Sequence, residues 1–289
     1  MLTIVPVLEI GGTHVTSALV RAGDAALSVV TQHRSHLDAH ADAETILTQV
    51  VAASDVLDAG TADTWGVAIP GPFDYERGIG DFAGVGKFAQ LAGVDVGAHL
   101  REALGAHRIT FLNDATAYGI GQAELGATGD ARRALVITLG TGVGSCYLVD
   151  GMPVTSGPGV PPNGWVYLLS HDGRPLEDHM SRRALLAAHR AGGGSASDDV
   201  REIAELARQG DPSAATVLRE ALGALGSSLS ESVTRFGAEV VVVGGSIAQS
   251  FDLVERYLAP ALPVALRPAL EQDAAPLLGT ARWVVSRPQ

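Results

Sequence analysis

The chain has 289 residues, 46% of them hydrophobic and 18% charged, enough for one large domain or two ordinary ones with a sizeable core and no long disordered tail. Its net charge of −12 argues against nucleic acid as a partner, because the phosphate backbone is bound by clustered Lys and Arg. No apolar run reaches the roughly 18 residues that span a bilayer, the opening MLTIVPVLEIGG lacks the basic and small-residue marks of a signal peptide, and the single Cys146 forbids an internal disulfide or a multi-cysteine metal site, so a soluble cytoplasmic protein with no membrane partner is expected.

In chain order, residues 2–34 read as three short strands, LTIVPVLEI, HVTSALVRA and LSVVTQH, each β-branched and bounded by turn residues. A helix is expected from about Ala41 to Leu57, with apolar positions at Ile46, Leu47, Val50, Val51 and Val56. TWGVAI is a strand that stops at Pro70-Gly71-Pro72, and residues 73–93 are glycine-rich and irregular. A helix near 95–105 and the strand RITFL precede NDATAYGIGQAELG, which opens another helix. The opening pattern then returns in RALVITLGTGVGSCYLVDG: an apolar strand, a Gly/Thr turn and a second strand. The two turns lie about 130 residues apart, a weak repeat of elements rather than of letters. Helices are expected near 177–191, 197–209 and 212–236, then the apolar strand AEVVVVGGS, one more helix and a last strand, ARWVVS. Strands and helices alternate in both halves, which implies two α/β domains joined near 115–130, drawn as 1–118 and 119–289.

Several stretches carry polar chemistry. Gly11, Gly12 and Thr13 offer backbone N–H groups with no side chain in the way, plus a hydroxyl donor; Gly140, Thr141 and Gly142 repeat the device. One such turn reads equally as a hairpin that needs glycine. Two of them, one per half, suit the two ends of a polyphosphate. Neither matches a Walker A loop or a dinucleotide fingerprint. Glu9 stands beside the first turn, where it reaches a phosphate-bound Mg²⁺ directly or through water, or is a solvated strand-end carboxylate. Asn113 and Asp114 close an apolar strand where a helix begins. Asp114 there is either an N-cap or an acceptor for the proton of a hydroxyl that attacks a γ-phosphate, with Asn113 holding the same substrate by its amide. Gly71 lies in a rigid turn that is a strand stop or a wall of backbone groups facing a polar ligand. Gly244 and Gly245 form a tight strand-to-helix turn, or let a flat adenine or ribose pack on backbone. His33, His36 and His40 have helical spacing but no second ligand cluster, which speaks against a metal site. His171 and His179 flank DGRPLED, as substrate contacts or as loop surface.

Taken together, EIGGT, PGP, NDATA, LGTGVGS and VVVVGGS, in that order and at these spacings, resemble the ROK family of sugar kinases within the actin-like ATPase superfamily, over nearly the whole chain. The resemblance implies an α/β fold of two ribonuclease-H-like domains with a cleft between them, transfer of the γ-phosphate of Mg-ATP to a sugar hydroxyl, and a homodimer. It makes residues 1–118 the domain of the first phosphate loop and the sugar site, and 119–289 that of the second phosphate loop and the adenosine site. It implies ATP contacts from Gly11, Gly12, Thr13, Gly140, Thr141, Gly142, Gly244 and Gly245, Asp114 as general base, and Asn113 and backbone near Gly71 as sugar contacts. Three departures stand out. Glu9 replaces the usual Asp. The family's Gly-Glu-x-Gly-His segment and Cys-rich zinc loop are replaced by PPNGWVYLLSHDGRPLEDHMSRRAL, with Trp165 where the Glu belongs and no Cys, so no zinc is expected. Glu177, in LEDHMSRRAL, then becomes the sugar ligand that remains, with His179 beside it. Finally, GDFAGVGKFAQLAGVD lacks the usual Asn, so the acceptor extends from glucose to an amino sugar or another polyol. The family's repressors add a helix-turn-helix segment for which the first strand leaves no room; a sensor of the same fold without catalysis is the rival reading, against which Asp114 stands.

Overall fold

A computed structural model describes residues 3–23, 26–57, 59–60 and 62–287. The chain divides into two compact units: residues 1–124 with 273–289, and residues 125–272.

The first unit opens with the three expected strands, β1 (Thr3–Ile10), β2 (His14–Ala22) and β3 (Ser28–His36), which pair as an antiparallel meander. The predicted start of β1 at Leu2 lies outside the described residues. His33 and His36 lie on β3, so the helical spacing expected of them and His40 does not arise; on a strand, residues three apart point to opposite faces. Helix α1 (Ala43–Ser54) starts at Asp42, whose carboxylate accepts the Thr45 N–H at 2.8 Å. β4 (Thr64–Ile69) returns parallel to β1. A small hairpin, β5 (Phe73–Asp74) and β6 (Ile79–Gly80), and α2 (Val96–Leu104) lead to β7 (Arg108–Asn113), parallel to β4. The sheet order is β3-β2-β1-β4-β7, and α3 (Asp114–Glu124) leaves directly from the end of β7. Leu8, Ile10, Ile46, Val67, Ile69 and Phe88 form the heart of this unit's core.

The second unit repeats the plan. β8 (Arg133–Leu139), β9 (Val143–Val149) and β10 (Met152–Val154) form the meander. After the hairpin β11 (Ser170–His171) and β12 (Arg174–Pro175) come α4 (Arg182–Ala191), α5 (Val200–Arg208) and α6 (Pro212–Phe236). β13 (Val240–Gly244) runs parallel to β8, and after α7 (Phe251–Leu258) β14 (Ala265–Pro268) runs parallel to β13. The order β10-β9-β8-β13-β14 matches that of the first sheet, so the repeat of elements seen in the sequence is a repeat of topology. Helix α4 begins later than expected. Ser181 caps it by accepting the Ala184 N–H at 3.2 Å, which leaves Glu177 outside it on a short 3₁₀ turn, Leu176–Asp178.

The C-terminal segment departs from expectation twice. ARWVVS is not a strand but the end of α8 (Ala275–Val285). The β-branched pair Val284-Val285 suggested extension, yet the buried positions Leu277, Leu278, Ala281 and Val284 trace one helical face. That helix belongs to the first unit, whereas the sequence drew 119–289 as a single domain. Residues 119–124 and 273–289 join the first unit because α8 packs on α3 and β4: Arg282 Nε and Nη2 bond the Glu124 carboxylate at 2.6 and 2.8 Å, and Trp283 Nε1 donates to the Phe111 carbonyl at 3.2 Å. Among the described residues no helix is long and apolar enough to cross a membrane.

Candidate active site

In the first unit the antiparallel β1–β2 pair closes through Gly11, Gly12 and Thr13. The Gly11 N–H donates to the His14 carbonyl at 2.8 Å, and the Thr13 carbonyl accepts from Leu37 N at 3.1 Å, so the turn is tied to the chain beyond β3. Gly12 has its space taken: a Cβ there would lie 2.7 Å from Lys87 Nζ. At the end of β1, Glu9 Oε2 stands 3.6 Å from His14 Nε2.

Asp114 is the first residue of α3, set there because β7 ends and the helix begins at the same bond. Burial pushes its carboxyl up to about 6; a hydrogen bond from the Ala115 N–H, 2.8 Å, opposes the shift, and the negative charge of Glu9 adds to it. The first turn, Glu9 and Asp114 are therefore one electrostatic neighbourhood. The capping role the sequence offered for Asp114 is taken instead by Asn113, whose Oδ1 accepts the Thr116 N–H at 3.1 Å. Its Nδ2 donates to Tyr75 Oη at 3.1 Å, and its side chain also hydrogen-bonds the Asp114 carboxyl. Tyr75 Oη also donates to the Ile69 carbonyl at 3.3 Å and would lie 3.1 Å from a Cβ on Gly71. So Tyr75 gathers Asn113 and the Pro-Gly-Pro turn at one place, a residue no sequence motif singled out.

In the second unit Gly140 N donates to the Gly142 carbonyl at 3.0 Å, which closes the β8–β9 turn. Glu177 Oε1 accepts the Val143 N–H at 2.9 Å and fills the space a Cβ on Gly142 would need. The second turn thus already holds one anion, the carboxylate of its own chain. β13 lies beside β8, and the two glycine turns at their ends meet: a Cβ on Gly140 would lie 3.4 Å from Ser246 Oγ. Gly245 has φ 90°, its N–H donates to Gln272 Oε1 at 2.8 Å, and a Cβ on it would lie 2.7 Å from Leu139 N and overlap the Leu139 carbonyl oxygen. Both the left-handed backbone and the close approach require glycine. Gly245→Ala is expected to destabilise the protein by about 1–3 kcal/mol, read by chemical denaturation, since backbone atoms cannot turn aside.

Trp165 stacks on Tyr167 with centroids 5.6 Å apart and planes 22° apart. Burial, and then the charge of Glu177, push the Tyr167 hydroxyl up. The segment is anchored by Ser145 Oγ, which donates to the Gly164 carbonyl at 2.6 Å and accepts the Val166 N–H at 2.9 Å. His179 is held apart: its Nε2 donates to the His171 carbonyl at 3.1 Å and the two rings meet edge-on.

A magnesium ion fits the first unit through few protein ligands. Glu9 is a hard carboxylate beside the glycine turn, and Mg²⁺ characteristically takes one or two carboxylates with phosphate oxygens and water. Among the described residues no group of three or more His, Cys, Asp or Glu is arranged to hold a metal by itself.

The chain is similar to several known proteins. The glucokinase of Thermotoga maritima is 25% identical over 273 residues, covering 86% of this chain and 83% of that one. The crystal structure of a ROK hexokinase from Thermus thermophilus superposes with a TM-score of 0.78 at 23% identity, covering 98% of this chain and 99% of the other. A ROK-family glucokinase from Streptomyces griseus, solved with glucose and AMPPNP, gives 0.73 at 21% identity over 97% and 99%. The two five-stranded sheets are thus those of the actin-like fold of ROK sugar kinases. Residues 6–287 match the family itself, and the chain belongs to the ROK family.

Proposed function

We propose that this protein is an ATP-dependent sugar kinase that moves the γ-phosphoryl group of ATP to a hydroxyl of a hexose or hexose derivative, with Asp114 as general base. The observation that carries the reading is Asp114 itself: a carboxyl raised to about 6, at the start of a helix, in the electrostatic reach of Glu9 and its glycine turn. A base poised near neutrality matches a proton that must leave an alcohol as it attacks.

The acceptor oxygen forms a bond to the γ-phosphorus, the bond from that phosphorus to the β–γ bridging oxygen breaks, ADP leaves, and the hydroxyl proton passes to Asp114 and on to water. The Gly11–Gly12–Thr13 turn in one unit and the Gly140–Thr141–Gly142 turn in the other would contact the phosphates, with the N–H groups of Gly11 and Gly140 closing the turns, and the Gly244–Gly245 turn would contact the adenosine. Glu9 would hold Mg²⁺, which when bound draws negative charge from the phosphate oxygens. Asn113, with its Oδ1 fixed on α3 and its side chain bonded to Asp114, would contact the sugar through its amide. In the second unit Trp165, where the family pattern has a Glu, stacks on Tyr167, which favours a sugar with an apolar ring face or substituent.

Release of ADP from Mg-ATP with a panel of hexoses, amino sugars, N-acetylated sugars and inositols tests the reading, with Asp114→Ala alongside. Turnover with one member, lost in the variant, supports it; ATP binding without turnover supports the second reading, a non-catalytic sensor of the same fold. Glu177→Gln separates two roles for that residue. The amide oxygen keeps the Val143 bond, so the turn survives. As a sugar ligand, Glu177 loses a charged hydrogen bond worth about 1.5–3 kcal/mol, and the KM for sugar rises about 10- to 100-fold with the KM for ATP unchanged. A shift confined to the KM for ATP would assign the residue to the phosphate turn instead.

A further inference from the structure

Of the chain's 20 Lys and Arg residues, 19 are arginine and one is lysine, Lys87. That single lysine lies across the first glycine turn. A Cβ built on Gly12 would meet Lys87 Nζ at 2.7 Å, Cδ at 2.8 Å and Cε at 2.9 Å, so the aliphatic stem occupies the space that glycine leaves and carries the ammonium over the turn. The backbone that aims it is held from behind. Phe88, the next residue, is fully buried, packs on Phe82 at 5.3 Å, and donates its N–H to the Ala39 carbonyl at 2.8 Å. It does so at φ 59°, a left-handed conformation that an aromatic residue keeps only where its surroundings impose it. None of the ion pairs among the described residues includes Lys87.

A cation with no carboxylate partner, aimed over a backbone turn by an imposed conformation, is a site for an anion. We propose that Lys87 is a phosphate-binding catalytic residue: its ammonium takes the oxygens of the terminal phosphoryl group at the Gly11–Thr13 turn and stabilises the charge that spreads over that group as it transfers. The proposal rests on the kinase reading and extends it by one residue. The choice of lysine in an arginine-rich chain has a physical reason. A guanidinium is a planar fork that prefers a fixed, two-point partner, whereas an ammonium is a compact charge on a flexible stem, with three donors that follow oxygens as the phosphorus inverts.

Lys87→Met keeps the stem over Gly12 and removes the charge; Lys87→Arg restores charge with the wrong shape. With a sugar that the wild type phosphorylates, Lys87→Met is expected to lower kcat/KM for ATP at least 100-fold, mainly in kcat, with an unchanged KM for sugar and an unchanged melting temperature. Lys87→Arg should recover at least tenfold of that loss. A Lys87→Met enzyme within threefold of wild type overturns the proposal. The sole lysine also allows a direct readout. Reductive methylation with ¹³C-formaldehyde gives one side-chain resonance beside that of the N-terminal amine. It should shift with AMPPNP and with inorganic tripolyphosphate, and much less with ADP. A resonance unmoved at AMPPNP concentrations that calorimetry shows to be saturating overturns the proposal. If the wild type phosphorylates no sugar, the kinase reading falls, and the shift with tripolyphosphate alone decides whether Lys87 binds phosphate.

Discussion

Asp114→Asn lowers turnover by about 10²- to 10⁴-fold, the usual contribution of a positioned general base, while the protein stays folded and binds ATP as before. The expectation follows from geometry rather than from the residue type. The Asp114 carboxyl sits at a strand–helix junction where burial, helped by the Glu9 charge, raises its pKa to about 6 against the opposing hydrogen bonds from the Ala115 N–H, its own backbone and Asn113. The pH profile carries the same information. The base acts only when ionised, so kcat/KM should climb as pH rises through about 6 and level off above it. Replacing Glu9 by Gln removes a negative neighbour and moves that limb to lower pH.

Stability moves the opposite way. A carboxyl whose folded pKa of about 6 lies above its unfolded value of 3.8 holds its proton more tightly when folded. Folding therefore loses stability as pH rises from 3.8 to about 6, and the deficit is complete above that range. Asp114→Asn removes the deficit. The variant should melt at a higher temperature than the wild type at pH 7.5, with the gain shrinking as the pH falls towards 3.8. A variant less stable than wild type at pH 7.5 would show that the charge of Asp114 supports the fold, against a carboxyl held near neutrality by burial.

The parts of this site that were legible in the sequence are those whose signal is local. Gly11-Gly12-Thr13 and Gly140-Thr141-Gly142 announce themselves because glycine between two β-branched runs has few other meanings, and both form strand turns. Asp114 is legible because an apolar strand ends where a helical pattern starts. What was not legible depends on contacts between distant residues. Nothing near Lys87 in the sequence points to Gly12, about 75 residues earlier. Glu177 was expected inside a helix, and only the Ser181 cap frees it to reach Val143. The sequence offers Asn113 as a ligand through its amide, and cannot show that Tyr75, Thr116 and Asp114 already engage it. The C-terminal helix was misread for a related reason. Its strongest local signal is Trp283-Val284-Val285, which favours a strand, while the signal that places it is a pair of small residues whose match lies on α3.

That match makes Gly279→Ala a decisive substitution. Ala117 and Gly121 on α3, and Ala275 and Gly279 on α8, share one spacing and bring the two helix backbones together. A Cβ on Gly279 would overlap the Ala117 carbonyl oxygen and lie 2.7 Å from Gly121 N; one on Gly121 would overlap the Ala275 carbonyl oxygen. Helix propensity alone favours alanine over glycine by about 1 kcal/mol. The overlap outweighs it, because the atoms met are backbone, and only a shift of the whole helix makes room. Moving α8 outward also lifts Thr280 and Val284 from Gly66 of β4, where a Cβ would lie 2.7 and 2.8 Å from their methyl groups, and strains the Glu124–Arg282 pair. Gly279→Ala is therefore expected to lower the melting temperature by about 5 °C, the shift that goes with a net loss of about 1–2 kcal/mol at this size. Gly279→Val should do more. Gly223→Ala on α6 is the control, since nothing lies within 4 Å of its added methyl group; propensity should make that variant as stable as the wild type or more so. Because Asp114 opens the same helix that α8 supports, Gly279→Ala should also lose activity at temperatures below its melting transition. A melting temperature above wild type for Gly279→Ala would mean that the two helices pack with slack and that α8 does not fix the position of Asp114.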